Sequence, residues 1–286
     1  MRKLLLFCFS LCIQVTSAQL PETDIWLFHL KQEKGKSVLG EGKNITARKG
    51  YDNQPIFSKD DKLIYYVSIR EDNQSDVYTY NISKNEIQQF TKTKVSEYSP
   101  AFVPGSRFVS CVVVEADSAQ RIWLYHDNGN FIKKINEQTD SVGYYSWYSA
   151  DTLLYYKLTH PHTLWLHILY TGHEVQIARN PSRAIRKLSG NRFLFAIKDS
   201  SEIQYYIYNA DIKKAEGYAR HKSGSEDFVF HSKWGLLKSE GAQILAYDSQ
   251  KKEWTVLFDL ASAGIKKITR FAFSANNKKM VIVDNP

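Results

Sequence analysis

From Ile25 onward the apolar residues come in short runs, alternating or continuous, broken by clusters of Asn, Asp, Gly, Ser and Lys. No window sustains an i, i+3, i+4, i+7 pattern beyond two turns, so the chain reads as all-β. The 18 tyrosines sit largely inside the runs, as in Tyr65-Tyr66, Tyr155-Tyr156 and Tyr205-Tyr206-Ile207-Tyr208, where an aromatic body suits packing between half-buried sheets.

The runs repeat with a period of roughly 39 to 46 residues. Aligning the apolar residue that ends the first strand of each unit gives Phe57, Phe102, Trp147, Leu188, Phe230 and Phe273. Each is followed by a polar turn and a second strand, beginning at Leu63, Phe108, Leu153, Phe193, Gly235 and Met280. Five units add a third strand (Asp76–Ile82, Arg121–His126, Thr163–Tyr170, Ile203–Asn209, Gln243–Asp248) and a fourth. Four strands per unit is the pattern of a propeller blade. The sixth unit reaches Pro286 after two strands, and Asp24–Leu30 (DIWLFHL) matches the third-strand phrase DVYTYNI at Asp76–Ile82, with Ser37–Thr46 able to serve as a fourth. The expectation is a six-bladed β-propeller whose last blade is completed by the N-terminal strands, which pairs edges otherwise left open.

The phrase PIFSKDDKLIYYVS at Pro55–Ser68 returns as PAFVPGSRFVSCVV at Pro100–Val113 and, more faintly, as FAFSANNKKMVIV at Phe271–Val283. Pro55, Phe57, Ser58, Asp60, Lys62, Ile64 and Tyr66 match the blade motif s-P-x-[FW]-S-P-D-G-K-x-I-x-F, as do Ser99, Pro100, Phe102, Pro104, Arg107 and Val109, and then Phe273, Ser274, Lys278 and Met280. The chain thereby resembles the TolB-like propellers (PD40 or WD-like repeats), with Asp61 or Ser106 where that motif has its turn glycine. The resemblance implies a propeller fold and an extracytoplasmic setting, and transfers no function, since such propellers serve as platforms, sensors and non-catalytic domains of peptidases. The motif residues themselves read as scaffold: the aspartate bonds the backbone of its own turn and the aromatic packs between blades.

Met1-Arg2-Lys3, the apolar stretch Leu4–Val15 and the small residues Thr16-Ser17-Ala18 have the form of a secretory signal peptide over residues 1–18, leaving residues 19–286 as one propeller domain. The apolar stretch is shorter than the ~20 residues of a membrane span. Phe7 before Cys8 and Leu11 before Cys12 do not fit a lipidation site. Removing this leader leaves Cys111 as the single cysteine, in a strand context that suits a buried structural thiol, and no intramolecular disulfide. It also lowers the formal charge from +8 to +6 by taking away Arg2 and Lys3. The remaining lysines are spread through turns without forming a stripe, which argues against nucleic acid as a partner. The expected setting is the periplasm or beyond, as a monomer or as part of an envelope complex.

Chemistry leaves few marks. No Gly-x-Ser-x-Gly elbow occurs, and Cys111 has no convincing partner. The chain reaches Pro286 without the hydrolase domain that follows a propeller in the prolyl-oligopeptidase type. His160-Pro161-His162, with His167 and His173 nearby, lacks the spacing of a helical zinc site and reads as a group of surface-turn histidines. The residues entering each innermost strand are the ones placed to line the ring axis. In register they are Gln54, Ser99, Tyr144, Ile185, Asp227 and Arg270, with Asp52, Glu97, Tyr98, Tyr145, Arg183, Arg186 and Glu226 close by. This mixture of Tyr, Arg and acids suits polar recognition of a protein, peptide or glycan at the channel mouth, with no catalytic residue and no cofactor. The alternative is a calcium-dependent hydrolase or lactonase using Asp52, Glu97, Glu226 and Asp227 in the channel. A third is a structural component of an envelope complex that docks through outer blade faces.

Overall fold

The computed structural model describes residues 21–135, 137–222 and 225–286. The signal-peptide reading falls on residues 1–18, outside the described residues. The described chain forms six antiparallel sheets of four strands each. The innermost strands are Tyr51–Phe57, Ser96–Phe102, Val142–Ser149, Pro181–Lys187, Phe228–His231 and Ile268–Phe273. Each touches the next and the last touches the first, so the blades close into a ring, numbered here from one to six in that order. A single short 3-10 turn, Ala261–Ala263, interrupts the strands among the described residues.

The sixth blade is built from both ends of the chain. Strand Asp24–Glu33 pairs with Lys279–Asp284 in the register Ile25↔Val283, Leu27↔Val281, and Lys36–Asn44 adds the outermost strand. The expected closure is therefore present, with the first strand three residues longer than its motif.

The continuous apolar runs are the middle strands, whose two faces are both covered. Because successive side chains point to opposite faces, each middle strand feeds two cores. Tyr65 packs with Val77, Val109, Cys111 and Tyr125 between blades one and two. Its neighbour Tyr66 packs with Ile25, Leu27, Val281 and Val283 between blades one and six. The same alternation puts Leu153 and Tyr155 against blade two and Leu154 against blade four. Among the described residues six such clusters occur, one in each gap between neighbouring blades.

The motif turns act as the sequence implies, with one addition. Ser58 Oγ donates to Asp60 Oδ1 at 2.7 Å and accepts from the Leu63 amide at 2.9 Å, which holds the turn tight. Asp61, in the glycine position of the motif, adopts the left-handed conformation at φ 57°. Its carboxylate accepts the amides of Ala275 and Asn276 in blade six at 2.8 and 2.9 Å, so the departure from glycine ties the first blade to the last. In the second blade the left-handed residue is Gly105 at φ 73°, one position ahead of Ser106.

Candidate functional site

The ring axis carries a cavity of about 440 Å³. Its lining runs from the middle of the innermost strands (Gln54, Ser99, Tyr144, Arg183, Arg270) to their far ends and the turns beyond (Phe102, Pro104, Trp147, Lys187, Phe273). Strand geometry shapes this wall. The innermost strands of blades one and two break register between Asn53 and Ile56 and between Tyr98 and Ala101. At these bulges Gln54 and Ser99 take φ values of 56° and 51°, each directly before a proline. A non-glycine residue with positive φ costs of order 1–3 kcal/mol. Here it places Gln54 Oε1 where it accepts the Ser99 amide at 2.5 Å across the blade boundary.

The inner end of the cavity is crossed by side chains from non-adjacent blades. Arg270, on blade six, holds its guanidinium carbon 5.4 Å from the ring centroid of Tyr144, on blade three. Arg183, on blade four, donates from Nη2 to the Thr269 carbonyl of blade six at 3.5 Å, and the Ser225 hydroxyl reaches the same carbonyl at 3.1 Å. Tyr51 stands behind this layer at the start of its strand. Burial pushes its phenol up to about 12, against the opposing pull of the Arg270 and Arg183 guanidinium groups, with Tyr144 and Tyr98 also within electrostatic range.

Of the residues expected at the mouth, Gln54, Ser99, Tyr144, Tyr145, Arg183, Arg186, Asp227 and Arg270 line the cavity, as does Ile185. Tyr145 also donates its hydroxyl to Ser110 Oγ at 2.7 Å, alongside the Trp147 indole at 2.8 Å, fastening blade three to blade two. Arg186 pairs with buried Asp227 at 2.9 Å. The other four lie apart from the lining. Asp52 is fully buried, accepts Arg48 Nη2 at 3.0 Å, and has its carboxyl raised by that burial against the opposing Ser68 and Arg48 bonds. Glu97 is fully buried between blades, where the hydroxyls of Thr91 and Thr93 donate to it. Burial lifts Glu97 to about 8 despite these bonds, with Asp76 beside it adding to the rise. Tyr98 packs against the core between blades two and three. Glu226 pairs with Lys198 and is not part of the cavity lining. The four carboxylates considered for calcium thus divide among four separate surroundings. Among the described residues no group of three or more His, Cys, Asp or Glu side chains is placed to hold a metal ion.

The histidines correct the sequence reading in part. His167 is a buried strand residue, not a turn residue: its Nδ1 lies 3.2 Å from Glu174 Oε1, which also accepts the Tyr155 hydroxyl at 2.5 Å. Burial lowers the His167 imidazole, opposed by the Glu174 charge. His221 stacks on Tyr205 and His231 on Trp234, both buried. Tyr51, Lys187 and the aromatic rim Phe102, Trp147 and Phe273 belong to the site's surroundings without marking themselves as such in the sequence. The rim residues read in the sequence as strand-ending scaffold, which they also are.

Among the described residues no helix is long and apolar enough to cross a membrane. No protein-family profile matches the chain, and no curated protein matches it by sequence. Solved structures do match in fold. A protein assigned as TolB from Agrobacterium tumefaciens superimposes with a TM-score of 0.65 at 11% identity, covering 93% of this chain and 98% of its own. A chain of the nidogen/laminin complex gives 0.63 at 9% identity, covering 92% and 98%. An oligogalacturonate lyase in complex with manganese gives 0.57 at 9% identity, covering 91% and 86%. In fold, the chain is a TolB-like six-bladed β-propeller.

Proposed function

We propose that this chain is an exported, non-catalytic binding module that recognises a protein, peptide or glycan segment in the channel cavity. The observation that carries the reading is the lining itself: tyrosine and arginine side chains from blades three, four and six converge at the inner end of a cavity of about 440 Å³. Large aromatic and arginine side chains around a desolvated pocket are the usual anchors of recognition. The acids near the axis are each engaged by a basic or hydroxyl partner, as in Arg186 with Asp227 and Arg48 with Asp52, and the adjoining carboxyls of Glu97 and Asp76 are both buried outside the cavity lining, where they do not face an occupant. Fold likeness to proteins named TolB and to the nidogen/laminin complex supports binding. Likeness to an oligogalacturonate lyase keeps catalysis as the competing reading. The N-terminal leader pattern and the TolB-like fold together support export.

Recovery of partners from an envelope extract, comparing wild type with an Arg270→Ala, Tyr144→Ala double variant, tests the location. The reading expects the double variant to lose the partner. Unchanged recovery assigns docking to the outer blade faces instead. Metal analysis of the purified protein, with lyase and lactonase activity assayed before and after chelation, separates the module from a metal-dependent enzyme: activity that chelation abolishes defeats the non-catalytic reading.

A further inference from the structure

The cavity lining carries an excess of positive charge. Arg183, Arg186, Lys187 and Arg270 line it against one carboxylate, Asp227, which Arg186 already engages. Lys187 is turned to the Tyr148 carbonyl at 2.6 Å. That leaves Arg183 and Arg270, and among the described residues neither has a carboxylate within ion-pair distance. Arg183 makes one long bond, to the Thr269 carbonyl, and its Nε is buried with no hydrogen-bond partner. Arg270 rests on the face of Tyr144, which leaves the edge of its guanidinium for a further acceptor. Buried guanidinium donors without acceptors are costly, and a planar carboxylate satisfies such a fork with paired bonds. Toward the other end the wall turns apolar, with Ile56, Phe102, Trp147, Val229 and Phe273.

Resting on the channel reading above, we infer that the occupant is an acidic peptide segment whose carboxylate is held by Arg183 and Arg270, with apolar neighbours of that carboxylate packed against the outer wall. The apolar wall favours a peptide over an oligo-uronate, whose hydroxyls need polar partners around the whole chain. Arg183 comes from blade four and Arg270 from blade six, so the occupant reads the distance between two blades and not one loop.

The test uses the full-length protein and four probes: the capped pentapeptide Ala-Phe-Asp-Phe-Ala, its Asn counterpart, trigalacturonate, and inorganic phosphate. Binding is followed by NMR through backbone amides and the arginine Nε resonances. The expected result is that the Asp peptide binds on the order of tenfold tighter than the Asn peptide, in keeping with a charge-assisted bond. That gap should narrow at high salt. It should disappear in an Arg183→Gln, Arg270→Gln variant and be partly retained in Arg183→Lys, Arg270→Lys, which keeps charge but loses the fork. If both peptides shift channel amides with equal affinity, the carboxylate inference is wrong while the channel reading stands. If the peptides shift only outer-strand amides, the channel reading itself fails. If neither peptide shifts any resonance, or trigalacturonate or phosphate binds more tightly than the Asp peptide, the occupant is not an acidic peptide.

Discussion

Arg270 on the sixth blade lies over the ring of Tyr144 on the third, 5.4 Å from guanidinium carbon to centroid, so one cation–π contact joins the two blades that face each other across the ring. Contacts of this kind contribute ~0.5–2 kcal/mol according to how far they are desolvated. Arg270→Ala should therefore lower the free energy of unfolding by about 1 kcal/mol. Urea denaturation checks the value, and a Tyr144→Ala change in the Arg270→Ala background should cost less than in wild type.

Ring closure depends on the first strand. Ile25 is fully buried, pairs with Val283, and packs against Ile64 and Tyr66 of blade one. Ile25→Ala should cost ~2–5 kcal/mol, the range for a large-to-small change in a packed core. Removing residues 24–44 should abolish a single cooperative unfolding transition, because it uncovers the edge of Lys279–Asp284 and opens the core between blades one and six. A truncated chain that melts like the full-length protein would count against the closure.

Glu97 makes stability fall with rising pH. Its folded carboxyl is raised to about 8 by burial, against an ordinary value of 4.5, so the folded state holds a proton that the unfolded state has already lost between those values. Stability tied to this group is fully present below the unfolded value and is lost as pH rises toward 8. Glu97→Gln keeps an acceptor for one of the Thr91 and Thr93 hydroxyls and presents an amide N–H that the other can accept, and it should flatten the urea midpoint across pH 5–8, with the largest gain over wild type at the upper end.

Cys111 is fully buried, and that burial raises its thiol well above the ordinary range. It should react with a thiol reagent only at the rate of global unfolding, measured by absorbance against hydrogen exchange in its strand. Reaction at the rate of a free peptide thiol would contradict this placement.

The period of the chain made the blade number, the strand order and the N-terminal closure legible, because each depends on where polar turns interrupt apolar runs. The direction of side chains at the axis was harder to read. Simple alternation treats Asp52, Glu97 and Gln54 alike, but the bulges at Gln54 and Ser99 reset which positions face the channel, and positive φ before a proline leaves no composition signal. Asp52 and Glu97 consequently turn into the blades while Gln54 and Ser99 line the cavity. Tyr51 is hidden in the sequence for a related reason: its position behind Arg270 and Arg183 depends on long side chains crossing the axis from other blades, which no local pattern records. The buried histidines, stacked on Tyr205 and Trp234 or bonded to Glu174, are likewise set by side-chain direction, which composition does not record.

The most direct measurement is the affinity of the purified partner for wild type and for the Arg270→Ala, Tyr144→Ala variant, with a Tyr218→Ala, Tyr247→Ala variant on the outer strands as control. If recognition occurs in the channel, the first variant should bind at least about tenfold more weakly, the change expected for losing one recognition anchor, and the control should bind as wild type does. An unchanged dissociation constant for the channel variant, with weakened binding in the control, would contradict the account.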